Sequence, residues 1–151
     1  MIFTRTSQYA IQALIYLATQ PDGELVLSRD IAHKLGVPSP YLAKILQDLS
    51  RAQLLHSFRG RNGGFGLRSG VEHSNLLDIL WLTDGHHVDR ECLLGLKACK
   101  DETACPLHRK WKSVKKEILA CLGNVTLIHL AKAVQSGQYR LSDLPLTLTQ
   151  I

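Results

Sequence analysis

The sequence predicts a mainly α-helical fold with one small β-hairpin, and three observations support this prediction. Apolar residues recur at helical spacing in several separate segments of the chain. Two of the predicted helices are short and are separated only by a turn that contains Gly36. Two extended segments then flank a glycine-rich turn, which is the pattern of a hairpin. A helix-turn-helix followed by such a hairpin is a winged helix, and we expect a long C-terminal helix after it.

Length and composition are those of one domain, and the net positive charge favours a polyanionic partner, with charge dispersed for solubility as the alternative. The chain has 151 residues, 45% of them apolar, and a net charge of +5 with a pI near 9.2. The apolar stretch from Tyr9 to Ala18 is too short for a membrane span and lacks the cleavage site of a signal peptide. We therefore expect a cytoplasmic protein whose thiols stay reduced.

The first two helices are bounded by capping and turn residues. The first is predicted from about Thr6 to Ala18, and a Pro21-Asp22-Gly23 turn ends it. The second is predicted to begin at Ser28, as its N-cap, and to end at Gly36, as its C-cap.

The third helix is predicted to follow Val37-Pro38. Ser39 would cap its free amides, and Pro40 would take the first helical position because its missing N–H is not needed there. Strand-like segments at 54–58 and 65–68 then surround the turn Arg59-Gly60-Arg61-Asn62-Gly63-Gly64, which we call the tip of the wing. The predicted buried stripe of the third helix is Leu42, Ile45, Leu46 and Leu49.

The second half of the chain is predicted to hold three more helices around a cysteine-rich loop. The first spans Asn75 to Thr83, and the last follows a Thr126 cap. The expected divisions are a DNA-binding winged helix-turn-helix at 1–85, a cysteine-rich loop at 86–108, a dimerisation helix with a short final helix at 109–140, and a flexible tail at 141–151. The apolar seam of the long helix consists of Leu107, Trp111, Val114, Ile118 and Cys121 or Leu122.

The winged helix predicts contacts with double-stranded DNA. A recognition helix enters the major groove with its N-terminal residues first, and arginines at a wing tip suit a narrow minor groove. Tyr41 has an alternative interpretation as a residue at the edge of the core, and Lys44 as a solvated charge. The expected DNA-contacting residues are Ser28, Arg29, Ser39, Tyr41, Lys44, Arg59, Gly60, Arg61, Asn62 and Gly63.

Three cysteines and a histidine form the pattern Cys92-x6-Cys99-x5-Cys105-x2-His108. Thiolates bind zinc and iron–sulfur clusters, and closed sites use four protein donors. His108 follows Cys105 by three residues at the start of a helix, which makes it the candidate fourth donor. The wide spacings favour an iron–sulfur cluster over a zinc knuckle, with zinc as the alternative.

Other reactive side chains receive structural interpretations. Cys121 falls on the apolar seam, and we expect it to be a buried structural thiol. His86 and His87 are expected to be exposed polar residues, with a role as spare ligands as the alternative. The sequence contains no Gly-rich phosphate loop, nucleophile elbow or HExxH pair, so we expect no enzymatic activity.

Several motifs occur together in this chain. They are Thr4-Arg5-x3-Tyr9-Ala10, Pro40-Tyr41-Leu42-x-Lys44-Ile45-Leu46, Arg59-Gly60-x2-Gly63-Gly64-Phe65-x-Leu67, the cysteine triplet and Val125-Thr126-Leu127. With them the chain resembles the Rrf2 family of bacterial winged-helix regulators, which includes the IscR, NsrR and RirA types. The resemblance extends from Met1 to about Tyr139.

This resemblance implies a homodimer, joined through the long helix, that reads a two-fold operator. It also implies an iron–sulfur cluster on Cys92, Cys99 and Cys105 that tunes DNA affinity, with His108 as the fourth ligand in IscR-like members. IscR and NsrR types usually have five residues between the first two cysteines, whereas this chain has six, so [2Fe–2S] and [4Fe–4S] clusters both stay open. The competing hypotheses are a zinc-stabilised regulator and a metal-free regulator controlled by a partner protein.

Overall fold

A computed structural model of the chain describes residues 3–90, 92–97 and 99–141. The predicted fold class, mainly α with a small hairpin, is confirmed, and the predicted tail lies beyond the described residues after Leu141. Two strands, β1 (Leu55–Phe58) and β2 (Gly64–Leu67), form the antiparallel wing, and 3-10 turns occupy Val71–His73 and Asp101–Thr103. The helices are α1 (Arg5–Ala18), α2 (Ser28–Leu35), α3 (Ser39–Arg51), α4 (Leu76–Asp84), α5 (His87–Arg90), α6 (His108–Asn124) and α7 (Leu127–Gln135).

Helix α1 lies at the centre of the core. It begins one residue earlier than predicted because the Thr4 side chain accepts a hydrogen bond from the Ser7 N–H at 3.2 Å. Ala10, Ala13 and Leu14 are completely buried, since α3, α4 and α7 all pack against this helix. The two alanines leave room for these neighbours, and Leu14 fills the space between them.

The helix-turn-helix consists of α2 and α3. Gly36 ends α2 in the left-handed conformation with φ of +67°, and the Val37 N–H donates to the Ala32 carbonyl oxygen at 3.0 Å. The predicted caps Ser28 and Ser39 are wrong, because each is the first helical residue of its helix and neither side chain makes a capping hydrogen bond. The cap positions belong to Leu27 and Pro38, whose extended backbone leads into the helix. Pro40 is therefore the second residue of α3 rather than the first.

The wing is joined to the rest of the domain by backbone hydrogen bonds. Leu55 pairs with Leu67 and Phe58 with Gly64 in the hairpin register. On the other edge of β2, Val26 and Phe65 exchange two N–H···O bonds of 2.9 and 2.8 Å. The segment between α1 and α2 thus pairs with the free edge of β2 close to the turn, which restrains the wing near its tip.

The last helix returns to the core that contains α1. Asn75 caps α4 and Thr126 caps α7, and the two cap residues pair in an isolated antiparallel bridge. Leu127 and Ala131 of α7 are buried against α1. The core of the winged helix therefore includes residues that come after the cysteines in the sequence.

Helix α6 differs from the other long helices because none of its residues is buried. It packs against α4 and α5 on one side only. Val114 and Cys121 are exposed, so the prediction of a buried Cys121 thiol is wrong for this chain taken alone. Helical periodicity placed Cys121 on an apolar seam, but no element of this chain covers that side among the described residues. In the same ranges, no helix is both long and apolar enough to traverse a lipid bilayer.

Candidate metal centre and nucleic-acid interface

The sulfur atoms of Cys92, Cys99 and Cys105 lie within 4.8 Å of one another. Gly95, with φ of +71°, allows the chain to turn after Cys92, and its N–H donates to the Cys92 carbonyl oxygen at 2.9 Å. The His108 N–H donates to the Cys105 carbonyl oxygen at 3.0 Å and so joins the last cysteine to the start of α6. One local turn thus follows Cys92 and another joins Cys105 to His108, while the three thiols, separated by six and five residues, lie together between them.

Hydrogen bonds make the three thiols unequal. The backbone N–H groups of Leu96 and Leu94 donate to the Cys92 sulfur and lower the pKa of that thiol. At Cys99 a backbone hydrogen bond from Cys105 acts in the same direction. There, however, burial and the contacts with the other two thiols outweigh it, and the pKa of Cys99 is raised. The loop therefore favours a thiolate at Cys92 over one at Cys99.

His108, the first residue of α6, stands beside the sulfur group. Its Nδ1 lies 3.1 Å from the Cys99 sulfur, and its side chain is only 17% exposed. Its Nε2 lies 2.9 Å from Oδ1 of Asp101, and Lys112 Nζ lies 3.0 Å from each oxygen of the same carboxylate. One ring nitrogen of His108 thus faces the Cys99 sulfur and the other faces a carboxylate, whereas the group of donor atoms that all lie within 4.8 Å of one another contains the three sulfurs and not His108. Hydrogen bonds from Lys112 and from His108 lower the pKa of Asp101.

The cysteines and His108 line a cavity of about 340 Å³. Its donors are those that both zinc and iron–sulfur clusters accept, three thiols and an imidazole. Basic side chains surround the cavity, which lowers the cost of holding anionic thiolates or sulfides there. These basic residues are Arg90, Lys97, Lys100, Lys112 and Lys115.

His86 and His87 lie outside the sulfur group. The His86 ring stacks against Trp81 with 4.7 Å between ring centroids, and its Nδ1 lies 3.4 Å from Oδ2 of Asp89. Both histidines are exposed, as predicted, and neither donor atom joins the group of three sulfurs among the described residues.

The predicted DNA-contacting residues of α2 and α3 occupy different surroundings. Ser39 and Lys44 are exposed, Arg29 is exposed and lies 3.7 Å from Asp30, and Ser28 is half-buried. Tyr41 is 38% exposed, so part of its side chain lies at the edge of the core and part at the surface, and its contact with DNA stays a prediction.

Tyr41 connects α3 to α1. Its hydroxyl lies 2.6 Å from Oγ1 of Thr6, and its ring makes an edge contact with Tyr9 at 5.7 Å. The Arg5 guanidinium carbon in turn lies 5.9 Å from the centroid of the Tyr9 ring. The sequence alone did not predict this group of contacts, although Tyr9 and Tyr41 each belong to one of the motifs on which the family resemblance rests.

The wing tip presents Arg59, Gly60, Arg61 and Asn62 at the surface. Gly63 is different, because it is buried and a Cβ at this position would overlap the carbonyl oxygen of Phe58. The structure therefore gives Gly63 a role in the turn itself rather than on the exposed face.

Asp101 and Lys112 are site residues that sequence reasoning missed. Lys112 follows His108 by four residues on a helix, so the spacing placed both on one face and could have identified the pair. Asp101 has no such signal, since its approach to His108 depends on the shape of the 3-10 turn Asp101–Thr103.

Comparisons with known proteins agree with this combination of winged helix and thiols. A family model described as "Rrf2: Iron-dependent Transcriptional regulator" matches residues 3–133. An HTH-type transcriptional regulator of Aquifex aeolicus (strain VF5) is 35% identical over 120 residues, which cover 78% of this chain and 83% of that protein. The regulator NsrR of Bacillus licheniformis is 32% identical over 128 residues, which cover 84% and 90% of the two chains. The solved structure of T. potens IscR superposes with a TM-score of 0.69 at 27% identity, covering 91% of this chain and 90% of that one.

Proposed function

The chain belongs to the Rrf2 family of DNA-binding transcriptional regulators, and from this membership we propose that an iron–sulfur cluster controls its affinity for DNA. Cys92, Cys99, Cys105 and His108 would be the protein ligands. When bound, such a cluster supplies a centre that exchanges electrons and reacts with oxidants or nitric oxide. The signal would accordingly be redox state, nitric oxide or the supply of iron and clusters.

The observation that carries this proposal is the position of three sulfurs, mutually within 4.8 Å, on the wall of a cavity of about 340 Å³. Three thiols so placed can hold a zinc ion or a cluster. We propose the cluster over zinc because the matching family model is described as iron-dependent and because NsrR and IscR are among the similar proteins.

The chain's own residues would prepare the site in two ways. The N–H groups of Leu94 and Leu96 stabilise the Cys92 thiolate by hydrogen bonding. The basic side chains around the cavity, such as Lys97 and Lys115, favour the negative charge that thiolates and sulfides bring.

The site would act on DNA binding through α4 and α6. The cysteine loop connects these two helices, α6 packs on α4, and α4 packs on α1. We propose a homodimer formed through the uncovered side of α6, where Val114 and Cys121 are exposed. A change in the order of the loop would then alter the distance between the two α3 helices of the dimer, which must match major grooves about 34 Å apart.

The DNA surface would combine the exposed face of α3 with the wing tip. Ser39 and Lys44 would meet the major groove, and Arg59 and Arg61 the minor groove or the phosphates. We place this DNA-reading function mainly in residues 1–85 and the regulator in the cytoplasm, where thiols stay reduced.

Anaerobic purification followed by absorption spectroscopy and iron and sulfide analysis tests the cluster. The operator is obtained by selection from random duplex DNA, and its affinity is measured by fluorescence anisotropy for the cluster-loaded and cluster-free protein. We expect visible absorption, stoichiometric iron and sulfide, and affinities that differ by about fivefold or more.

A colourless protein without iron and sulfide would overturn the proposal, and stoichiometric zinc would then favour the zinc-stabilised regulator. Equal DNA affinity with and without the cluster would also contradict it. A metabolic enzyme that co-purifies and alters DNA affinity regardless of metal would instead support control by a partner protein.

A further inference from the structure

We propose that Asp101 is the positioning residue of this metal centre, holding the His108 ring so that Nδ1 faces the cysteine sulfurs, and that Lys112 in turn holds the Asp101 carboxylate. The inference rests on the proposed role of His108 as a ligand. It assigns a function to two side chains that the cysteine pattern alone does not include.

The two ring nitrogens of His108 have separate partners. Nδ1 lies 3.1 Å from the Cys99 sulfur, and Nε2 lies 2.9 Å from Oδ1 of Asp101. A neutral imidazole carries one proton, and a carboxylate at Nε2 keeps that proton there. Nδ1 then presents a lone pair to an incoming iron, and the hydrogen bond also restricts rotation of the ring.

Asp101 is held in place from α6. Lys112 Nζ lies 3.0 Å from both Asp101 oxygens, and Lys112 is one helical turn beyond His108. Asp101 itself opens the 3-10 turn Asp101–Thr103, between the second and third cysteines. The carboxylate thus joins the loop that carries the thiols to the helix that carries the imidazole.

A role in overall stability does not account for this arrangement. The Asp101 and Lys112 side chains are 70% and 63% exposed, and ion pairs in such surroundings contribute little to folding because water screens them. A role as a metal ligand does not account for it either, because Oδ1 is engaged by both His108 and Lys112.

The first test uses the metal-free protein. Nitrogen-15 NMR at about pH 8.5, above the usual histidine pKa of roughly 6.5, shows which ring nitrogen of His108 carries the proton. We expect the proton on Nε2 in the wild type and a mixture of both tautomers in Asp101→Ala. The matched control is Glu102→Gln, which removes the neighbouring exposed carboxylate of the same turn and should leave the tautomer unchanged. The same tautomer ratio in Asp101→Ala and the wild type would overturn the proposal.

The second test uses the loaded protein. We expect Asp101→Ala to shorten the lifetime of the cluster absorption in the presence of a chelator by about tenfold or more, and Lys112→Met to shorten it by a smaller factor. Glu102→Gln should match the wild type, and the midpoint of urea unfolding of the metal-free protein should be nearly the same for all four proteins. Equal cluster lifetimes in Asp101→Ala and Glu102→Gln would contradict the role assigned to Asp101.

The proposed cluster function and the positioning role of Asp101 can be refuted independently of each other. A wild-type chain that holds no cluster refutes the proposed function, and the tautomer measurement still decides whether Asp101 orients His108. A wild-type chain that holds a cluster, with Asp101→Ala indistinguishable from it in tautomer and lifetime, refutes only the role of Asp101.

Discussion

The carboxylate of Asp84, at the end of α4, accepts two hydrogen bonds from Thr4, the N-cap residue of α1. The Thr4 N–H donates to Oδ2 at 3.1 Å, and the Thr4 hydroxyl donates to Oδ1 at 2.5 Å. The carboxylate also lies at the positive end of the α1 dipole. The start of the central helix is thus joined to the end of the helix from which the cysteine loop departs.

The pH dependence of the free energy of unfolding, compared between wild type and an Asp84 variant, tests this junction. Burial acts to raise the pKa of Asp84, but hydrogen bonds from Ser7 and Thr4 outweigh it and the pKa is lowered. A lowered pKa stabilises the fold above the unfolded value of about 3.9, and this contribution is lost as pH falls through the lower folded value. We expect Asp84→Asn to reduce the free energy of unfolding by less than about 1 kcal/mol at pH 7, because solvent screens this partly exposed carboxylate.

Urea denaturation of Asp84→Asn and wild type between neutral and acidic pH measures this effect. The difference between them should shrink as the pH approaches the folded pKa, whereas Asp22→Asn, in the exposed turn after α1, should have little effect at any pH. A difference that stays constant down to strongly acidic pH would show that the Asp84 charge is not the cause.

Removal of basic side chains from the DNA surface should weaken binding without unfolding the protein. We expect Arg59→Ala and Lys44→Ala each to lower operator affinity and, where the contact is to a phosphate, to reduce the log–log salt slope by about 1. Lys132→Ala, an exposed charge on α7, is the control. Fluorescence anisotropy at several salt concentrations measures both quantities, and wild-type affinity in both variants at moderate salt would rule out the assigned surface.

Gly63 is expected to matter through the shape of the wing turn. A side chain there meets the Phe58 carbonyl, so Gly63→Ala should force the turn to rearrange at a cost of about 1–3 kcal/mol and reduce DNA affinity. Asn62→Ala, next to it and exposed, should leave stability unchanged. Urea denaturation and anisotropy compare the two, and a Gly63→Ala protein as stable as Asn62→Ala would contradict this account of the turn.

Replacing each cysteine in turn distinguishes the cysteines that bind the cluster from those that do not. We expect Cys92→Ser, Cys99→Ser and Cys105→Ser each to lose most of the cluster absorption and iron, since each removes one of three converging thiols. Cys121→Ser keeps both, because Cys121 lies exposed on α6 and outside the sulfur group. Absorption and iron analysis after anaerobic purification provide the measurement. Loss of iron in Cys121→Ser to the same extent would mean that the ligand set is wrong.

Helices and hairpin could be predicted from the sequence because local patterns determine them. Periodic leucines and the Gly36 turn located the helix-turn-helix, and the glycines at 60, 63 and 64 located the wing. Capping was harder, since Ser28 and Ser39 have the right chemistry but each stands one residue inside its helix.

Contacts between distant segments could not be read from periodicity. A seam of apolar residues shows which side chains share a face of α6, but not whether the same chain covers that face, and Cys121 was therefore misplaced. The cysteine pattern predicted which thiols converge. The contact of Asp101 with His108 arises from loop geometry, which residue spacing does not encode.

The return of α7 to α1 has a practical consequence for protein engineering. Leu127 is buried in the same core as Leu14, although it follows the cysteine-rich segment in the sequence. A chimera made by cutting after residue 85 and attaching a foreign sensor would expose part of that core and lose solubility. A different regulatory segment should instead replace the residues between α4 and α7. Both ends of the new segment then remain attached to helices that pack in the original core.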